Sequence, residues 1–104
     1  MYVILTSKPG EFTTEINGDL RPVEAYDYLF YGRRKAHFVI AELLADGTKI
    51  RVVEETTRIV NTVPTKFLPK FETVEKAYAE LKHLTSFGQM GTVLTKVERA
   101  EGTP

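Results

Sequence analysis

One stretch decides the fold class of this chain: residues 22–31 (PVEAYDYLFY), which can be interpreted as a helix or as a strand. As a helix, it would begin with Pro22, whose missing N–H costs no hydrogen bond in a first turn, and it would end at Gly32. As a strand, it would place three aromatic side chains on one face and turn at Gly32-Arg33. Apolar residues at helical spacing and acidic residues near the N-terminus also agree with a helix. These signals together favour the helix.

The remaining segments give clearer patterns. Alternation, apolar runs and turn residues predict strands at 2–6, 36–44, 48–55 and 92–98, a short arm or ordered loop at 12–16, and an edge strand at 59–63. Asp46-Gly47 separates two of these strands and is the strongest hairpin signal in the chain. A second helix is predicted to begin at Thr73, its N-cap, and to end before Gly88.

The resulting order is strand, helix, strand, strand, helix, strand. This order predicts an α+β fold, a ferredoxin-like split βαβ sandwich in which two helices cover one face of an antiparallel sheet. If residues 22–31 were a strand, the alternative would be a β-meander or small barrel with one C-terminal helix. We expect a single domain over residues 1–98 and a flexible C-terminal tail at 99–104.

Composition excludes several chemistries. The chain has no cysteine, which excludes disulfides, thiolate zinc sites, cysteine nucleophiles and thiolate-held iron–sulfur clusters. Fourteen basic and fourteen acidic residues cancel, whereas nucleic-acid-binding proteins usually carry a basic excess. Met1–Lys8 is interpreted as a strand rather than a signal peptide, and no apolar run is long enough to span a bilayer. We therefore expect a cytoplasmic protein with no cofactor and no nucleic-acid or membrane partner.

Histidines are the side chains that titrate naturally near neutral pH. His37 lies near the start of a strand and is the one weak catalytic candidate, although the sequence places no acid partner beside it. His83 falls on the polar face of the second helix and is expected to be solvated surface. The two histidines make no metal signature, so no metal site is predicted.

A second set of residues is predicted to contact a ligand or a partner protein: Arg33, Arg34, Lys35, Tyr31, Phe67, Leu68 and Phe71. The basic run could bind phosphate or carboxylate groups, but a charged cap at the end of the first helix is the favoured interpretation. Segment 65–71 is a proline-broken loop that carries three large apolar residues. They must either pack over the core, which is favoured, or form an exposed contact surface.

Three segments carry a resemblance to known proteins: MYVILTSKPG, YDYLFYGRRKAHFVIAEL and KFLPKFETVEKAYAELKHLTSFG. Together they resemble a set of short, poorly characterised bacterial proteins, some of which are labelled "ferredoxin". No chemical site transfers with this resemblance, since an iron–sulfur ferredoxin would need cysteines. The expected topology and size are also similar to those of dimeric α+β barrel proteins.

The expected function is that of a small non-enzymatic accessory or protein-interaction domain. Its partner would be another protein or a second copy of itself, bound through the open face of the sheet. This expectation rests on the lack of a catalytic constellation beside a well-patterned core. The alternative is a cofactor-independent enzyme or small-ligand-binding protein of the dimeric α+β barrel type, with a cleft around His37, Tyr26 or Tyr31.

Overall fold

The computed structural model describes residues 1–85 and 91–97. These residues form strands β1 (Tyr2–Ser7), β2 (Phe12–Thr14), β3 (Leu20–Phe30), β4 (Arg33–Leu43), β5 (Lys49–Glu54) and β6 (Val60–Pro64), helix α1 (Val74–Thr85) and strand β7 (Thr92–Val97). A short 3₁₀ turn, Thr65–Phe67, follows β6. The described part of the chain is therefore rich in β-structure and has one α-helix.

The strands form two antiparallel sheets. One has the order β1-β4-β3-β7 and the other has the order β2-β5-β6. The predicted two-helix ferredoxin-like sandwich is wrong, because residues 22–31 lie almost entirely in strand β3. Among the described residues the fold is β-rich with one helix, which agrees with the alternative prediction in these two respects.

A tight turn explains why this stretch is a strand. Strands β3 and β4 form a hairpin whose two loop residues, Tyr31 and Gly32, both have positive φ, at 49° and 79°. This is the backbone of a two-residue hairpin turn. Glycine at positive φ ends helices as well as making such turns, so Gly32 could not distinguish the two interpretations. Strand β3 is then hydrogen-bonded on both edges, to β4 and β7.

The hairpin predicted at Asp46-Gly47 is also wrong. Strands form on both sides of it, but β4 and β5 belong to different sheets. Both edges of β4 are already paired, one with β1 and the other with β3, so β5 finds no free edge there. The loop instead carries the chain from one sheet to the other.

The core lies on both faces of the larger sheet. Between the two sheets lies a cluster of buried residues: Val3, Leu5, Leu20, Ala25, Val39, Ala41 and Ile50. A second cluster under α1 consists of Tyr26, Ile40, Ala77 and Leu81. Successive residues of a strand point to opposite faces, so in β4 the side chain of Val39 belongs to the first cluster and that of Ile40 to the second.

Several local predictions are confirmed. Strands form near the predicted positions in β1, β6 and β7, and the backbone N–H of Lys76 donates to the Thr73 hydroxyl at 3.1 Å, as an N-cap requires. The predicted helix end at Gly88 and the predicted tail at 99–104 lie outside the described residues. Among the described residues, no helix has the length and apolar character needed to cross a membrane.

Candidate functional site

Three polar residues form a row across the larger sheet. In the strand register, Ser7 of β1 lies opposite His37 of β4, and His37 lies opposite Asp27 of β3. Residues directly opposite each other in a sheet point to the same face. They share this face with Val39, so the row lies on the side that packs against the smaller sheet, beyond the end of the apolar cluster.

His37 and Asp27 form the strongest polar contact in this row. The His37 side chain is buried, and its Nδ1 atom lies 2.7 Å from Oδ1 of Asp27, which is only partly exposed. An ionised carboxylate can only accept, so the Nδ1–H of His37 donates to Asp27. This bond fixes the orientation of the imidazole ring and selects the Nδ1–H form of the neutral ring.

A β-bulge brings a cation to the same cluster. Two successive residues of β3, Tyr28 and Leu29, lie opposite Ala36 and Arg34 of β4, so Lys35 is an extra residue in β4. A bulge changes which face the following side chains point to. Arg34 is three residues from His37 and would otherwise point to the opposite face. With the bulge, Arg34 Nη1 lies 3.7 Å from Oδ1 of Asp27.

Ser7, Arg34 and His37 border a cleft of about 110 Å³ between the two sheets. Its polar lining consists of Ser7, Thr13, Arg34, His37 and Glu55, and Pro9 and Phe12 add apolar walls. The Ser7 hydroxyl accepts a hydrogen bond from the backbone N–H of Thr14 at 2.9 Å. The Thr13 hydroxyl donates to Glu55 Oε2 at 3.4 Å. The cleft therefore presents a guanidinium group, a carboxylate and hydroxyl groups to an incoming ligand.

The structure separates most of the residues that were predicted to act together. Among them, Arg34 and His37 share the cleft. The basic run does not cap a helix, because Arg33, Arg34 and Lys35 are the first three residues of β4. Tyr31 occupies the hairpin turn and is 68% exposed. The other predicted contact residues do not line this cleft: Arg33, Lys35, Tyr31, Phe67, Leu68 and Phe71.

Tyr26, another candidate for the cleft, lies on the opposite face of the sheet, under α1. Its ring lies 5.2 Å from that of Tyr78, and its hydroxyl donates to Glu24 at 2.8 Å. Burial, together with this bond to the Glu24 carboxylate, raises the pKa of Tyr26 well above its usual range. Tyr26 is therefore a packing residue that stays protonated.

The apolar segment 65–71 divides between packing and exposure. Phe71 packs against the cluster under α1 and its backbone pairs with that of Tyr2. Leu68 packs against the cluster between the sheets. Phe67 is 70% exposed, and the Lys66 ammonium lies 5.2 Å from the centre of its ring. The favoured prediction of packing is thus confirmed for two of the three large apolar residues.

Sequence reasoning missed Asp27, Ser7 and Glu55 as members of the site. A regular hairpin about the turn at residues 31–32 would place Asp27 opposite Ala36, and the bulge at Lys35 shifts this pairing by one residue to His37. Both the hairpin and the bulge are therefore needed to bring Asp27 to His37. Ser7 and Glu55 carry no such local signal, since their positions depend on pairing between strands that are far apart in sequence.

Within residues 1–85 and 91–97, no three histidine, aspartate or glutamate side chains lie close enough together to hold a metal ion. Comparison of the chain with protein-family models, with curated proteins and with solved structures found no match. The functional proposal consequently rests on the geometry of the cleft.

Proposed function

We propose that this chain is a small non-enzymatic accessory domain that binds the polar end of a small ligand in the cleft above His37. The observation that carries the proposal is the bond between buried His37 and partly exposed Asp27, with Arg34 drawn into the same cluster by a bulge. Buried polar groups and bulges are costly to maintain, and bulges are over-represented next to functional sites. The expected location remains the cytoplasm, which the lack of cysteine favours.

The size and charge of the cleft suggest the chemical class of the ligand. Pockets that enclose a whole drug-sized molecule usually measure about 300–1,000 Å³, so a cleft of about 110 Å³ admits only an end group. Arg34 supplies hydrogen-bond donors, and Glu55 supplies acceptors. An end group with both an acceptor and a donor, such as a primary amide or an amino-acid head group, satisfies both side chains. Pro9 and Phe12 would contact its aliphatic part.

An NMR titration with three matched probes tests this proposal. The three probes have similar size. Propionamide offers hydrogen-bond donors and acceptors, propionate offers only acceptors, and propylamine, as its ammonium ion, offers only donors. We expect propionamide to shift the amide signals of Ser7, Thr13 and Glu55 at lower concentration than either of the other probes. Small shifts spread over the whole surface, with no preference among the probes, would contradict the proposal.

The chain offers a matched control for the cation. Arg34→Ala removes the guanidinium that reaches the cleft, whereas Arg33→Ala removes the same charge one residue away, outside the cleft lining. We expect the first variant to lose the preference for propionamide and the second to keep it. Equal behaviour of the two variants would show that net charge, and not the cleft, controls the shifts.

A cofactor-independent enzyme is the second candidate function. The bond from Nδ1 of His37 to Asp27 is the arrangement that orients a histidine general base. However, the Nε2 atom that would take the proton from a substrate is itself buried, and this favours binding over catalysis. Hydrolysis of a p-nitrophenyl ester is the discriminating assay: binding alone predicts the same rate for the native chain and for His37→Gln. A rate that His37→Gln abolishes, while the fold remains intact by circular dichroism, would favour the enzyme.

A further inference from the structure

Strand β6 is an open edge of the smaller sheet. Its residues Val60 to Pro64 lie opposite residues Val53 to Lys49 of β5. Within the described residues, no strand pairs with its other edge. Two of the other sheet edges, those formed by β2 and by β1, are shorter or partly covered. Strand β2 has three residues, and β1 is bonded to the backbone of Phe71 at one end and to Thr14 at the other.

The backbone groups that face outward from β6 can be identified from two hydrogen bonds. The N–H of Glu54 donates to the Ile59 carbonyl, and the N–H of Thr65 donates to the Thr48 carbonyl, both at about 3 Å. In an antiparallel ladder, every second residue bonds to the neighbouring strand. Ile59 and Thr65 are six residues apart, so the backbone groups of residues 59, 61, 63 and 65 all point toward β5. The backbone groups of Val60, Thr62 and Pro64 therefore point outward.

This edge has one of the usual devices against strand pairing, an outward-facing proline, and lacks charged side chains. Native edge strands are commonly protected by charged side chains, proline, bulges or a covering segment. Residues 59–65 contain no charged side chain. Ile59 and Val60 expose 54% and 42% of their surface, respectively. Pro64 faces outward and has no N–H, so it costs no bond to β5 and removes one possible bond to an added strand, while its carbonyl remains available.

We propose that β6 pairs with β6 of a second copy of this chain, antiparallel about a two-fold axis at Thr62. In this register Thr62 lies opposite the partner's Thr62, and Val60 lies opposite the partner's Pro64. Each Thr62 N–H donates to the partner's Thr62 carbonyl, and each Val60 N–H donates to the partner's Pro64 carbonyl. No outward N–H is left over, because Pro64 has none. The two three-stranded sheets become one continuous sheet.

The outward N–H and carbonyl groups of this edge complement those of an identical, reversed strand, and this favours a second copy over an unrelated peptide. The two outward N–H groups of β6 match two outward carbonyl groups of the same strand when it is reversed, so one sequence supplies both sides of the pairing. An uncharged strand also meets no like-charge repulsion when it pairs with itself. The pairing is independent of the ligand proposed for the cleft.

Cysteine cross-linking tests both the dimer and its register, since the native chain has no cysteine. Residues that exchange both hydrogen bonds across an antiparallel pair have Cα atoms about 5.5 Å apart. This separation is within the range of about 4.4–6.8 Å that a disulfide spans. Thr62→Cys should therefore form a disulfide-linked dimer under mild oxidation. Asn61→Cys is the matched control, because in this register the two copies of residue 61 are offset along the strands and lie out of reach.

We expect Thr62→Cys to cross-link at least about tenfold faster than Asn61→Cys on a non-reducing gel, since only residue 62 meets the distance limit. Sedimentation of the native chain over a concentration series should show a monomer–dimer equilibrium, and Thr62→Lys, which places two like charges opposite each other, should shift it to monomer. Equal cross-linking rates would overturn the proposed register. A native chain that remains monomeric at about 1 mM would overturn the self-pairing itself.

Discussion

Leu81→Ala is the most direct test of how α1 is held on the sheet. Leu81 has no exposed surface and packs with Tyr26, Ile40 and Ala77. The substitution removes three carbon atoms, each worth about 0.8 kcal/mol when buried, which gives about 2.4 kcal/mol from transfer alone. A cavity that stays open adds to this and raises the upper limit to about 5 kcal/mol. A twelve-residue helix is only marginally stable by itself, so it depends on this packing.

The assay is equilibrium unfolding in urea, followed by far-UV circular dichroism. We expect the free energy of unfolding to fall by about 2.4–5 kcal/mol with little change in its dependence on urea. Leu84→Ala is the matched control on the same helix, because Leu84 is 56% exposed and should change stability by less than about 0.5 kcal/mol. A loss below about 1 kcal/mol for Leu81→Ala would refute the packing described under α1.

Three further predictions concern polar groups. Because the pKa of Tyr26 is raised by its burial and its bond to Glu24, its contribution to stability should be complete below pH about 10 and decline as the pH rises further; Tyr26→Phe should flatten this decline in urea titrations. Asp27→Ala removes the charged partner of buried His37 and should cost about 1.5–3 kcal/mol by urea unfolding. Nucleic acid should bind more weakly than about 10 µM near physiological salt by fluorescence anisotropy, and replacing residues 33–35 by alanine should leave the fold intact.

Each of these predictions has a contrary result and a control. The same alkaline decline in Tyr26→Phe and in the native chain would show that other groups cause it; Tyr31→Phe, at an exposed ring, should leave the decline unchanged. If Asp27→Ala is as stable as the native chain, the bond to His37 contributes nothing to stability. Asp27→Asn can still accept a hydrogen bond from Nδ1–H, so its free energy of unfolding should lie between those of the native chain and Asp27→Ala. Sub-micromolar binding of RNA or DNA that the substitutions at 33–35 remove would identify a nucleic-acid surface.

Local sequence patterns predicted the elements whose structure depends on local causes. The apolar stripe and N-cap of residues 73–85 and the apolar run of β1 gave a helix and a strand where these form. Patterns failed where the pairing of distant strands decides. Asp46-Gly47 has the residue types of a two-residue hairpin, but its flanking strands are separated because other strands occupy both edges of β4. Tyr31-Gly32 forms such a hairpin although tyrosine rarely adopts positive φ.

The incorrect helix and the missed site have the same cause. A helix over residues 22–31 would put Asp27 near its N-terminus and leave His37 in a later strand, with no reason for the two to meet. The hairpin and the bulge at Lys35 together place Asp27 opposite His37, with Arg34 near the same carboxylate. The acid partner that His37 lacked in the sequence is therefore supplied by the strand interpretation of the same ten residues. Any substitution that disrupts the turn at residues 31–32 should consequently affect the cleft and the pairing of β3 with β4 together.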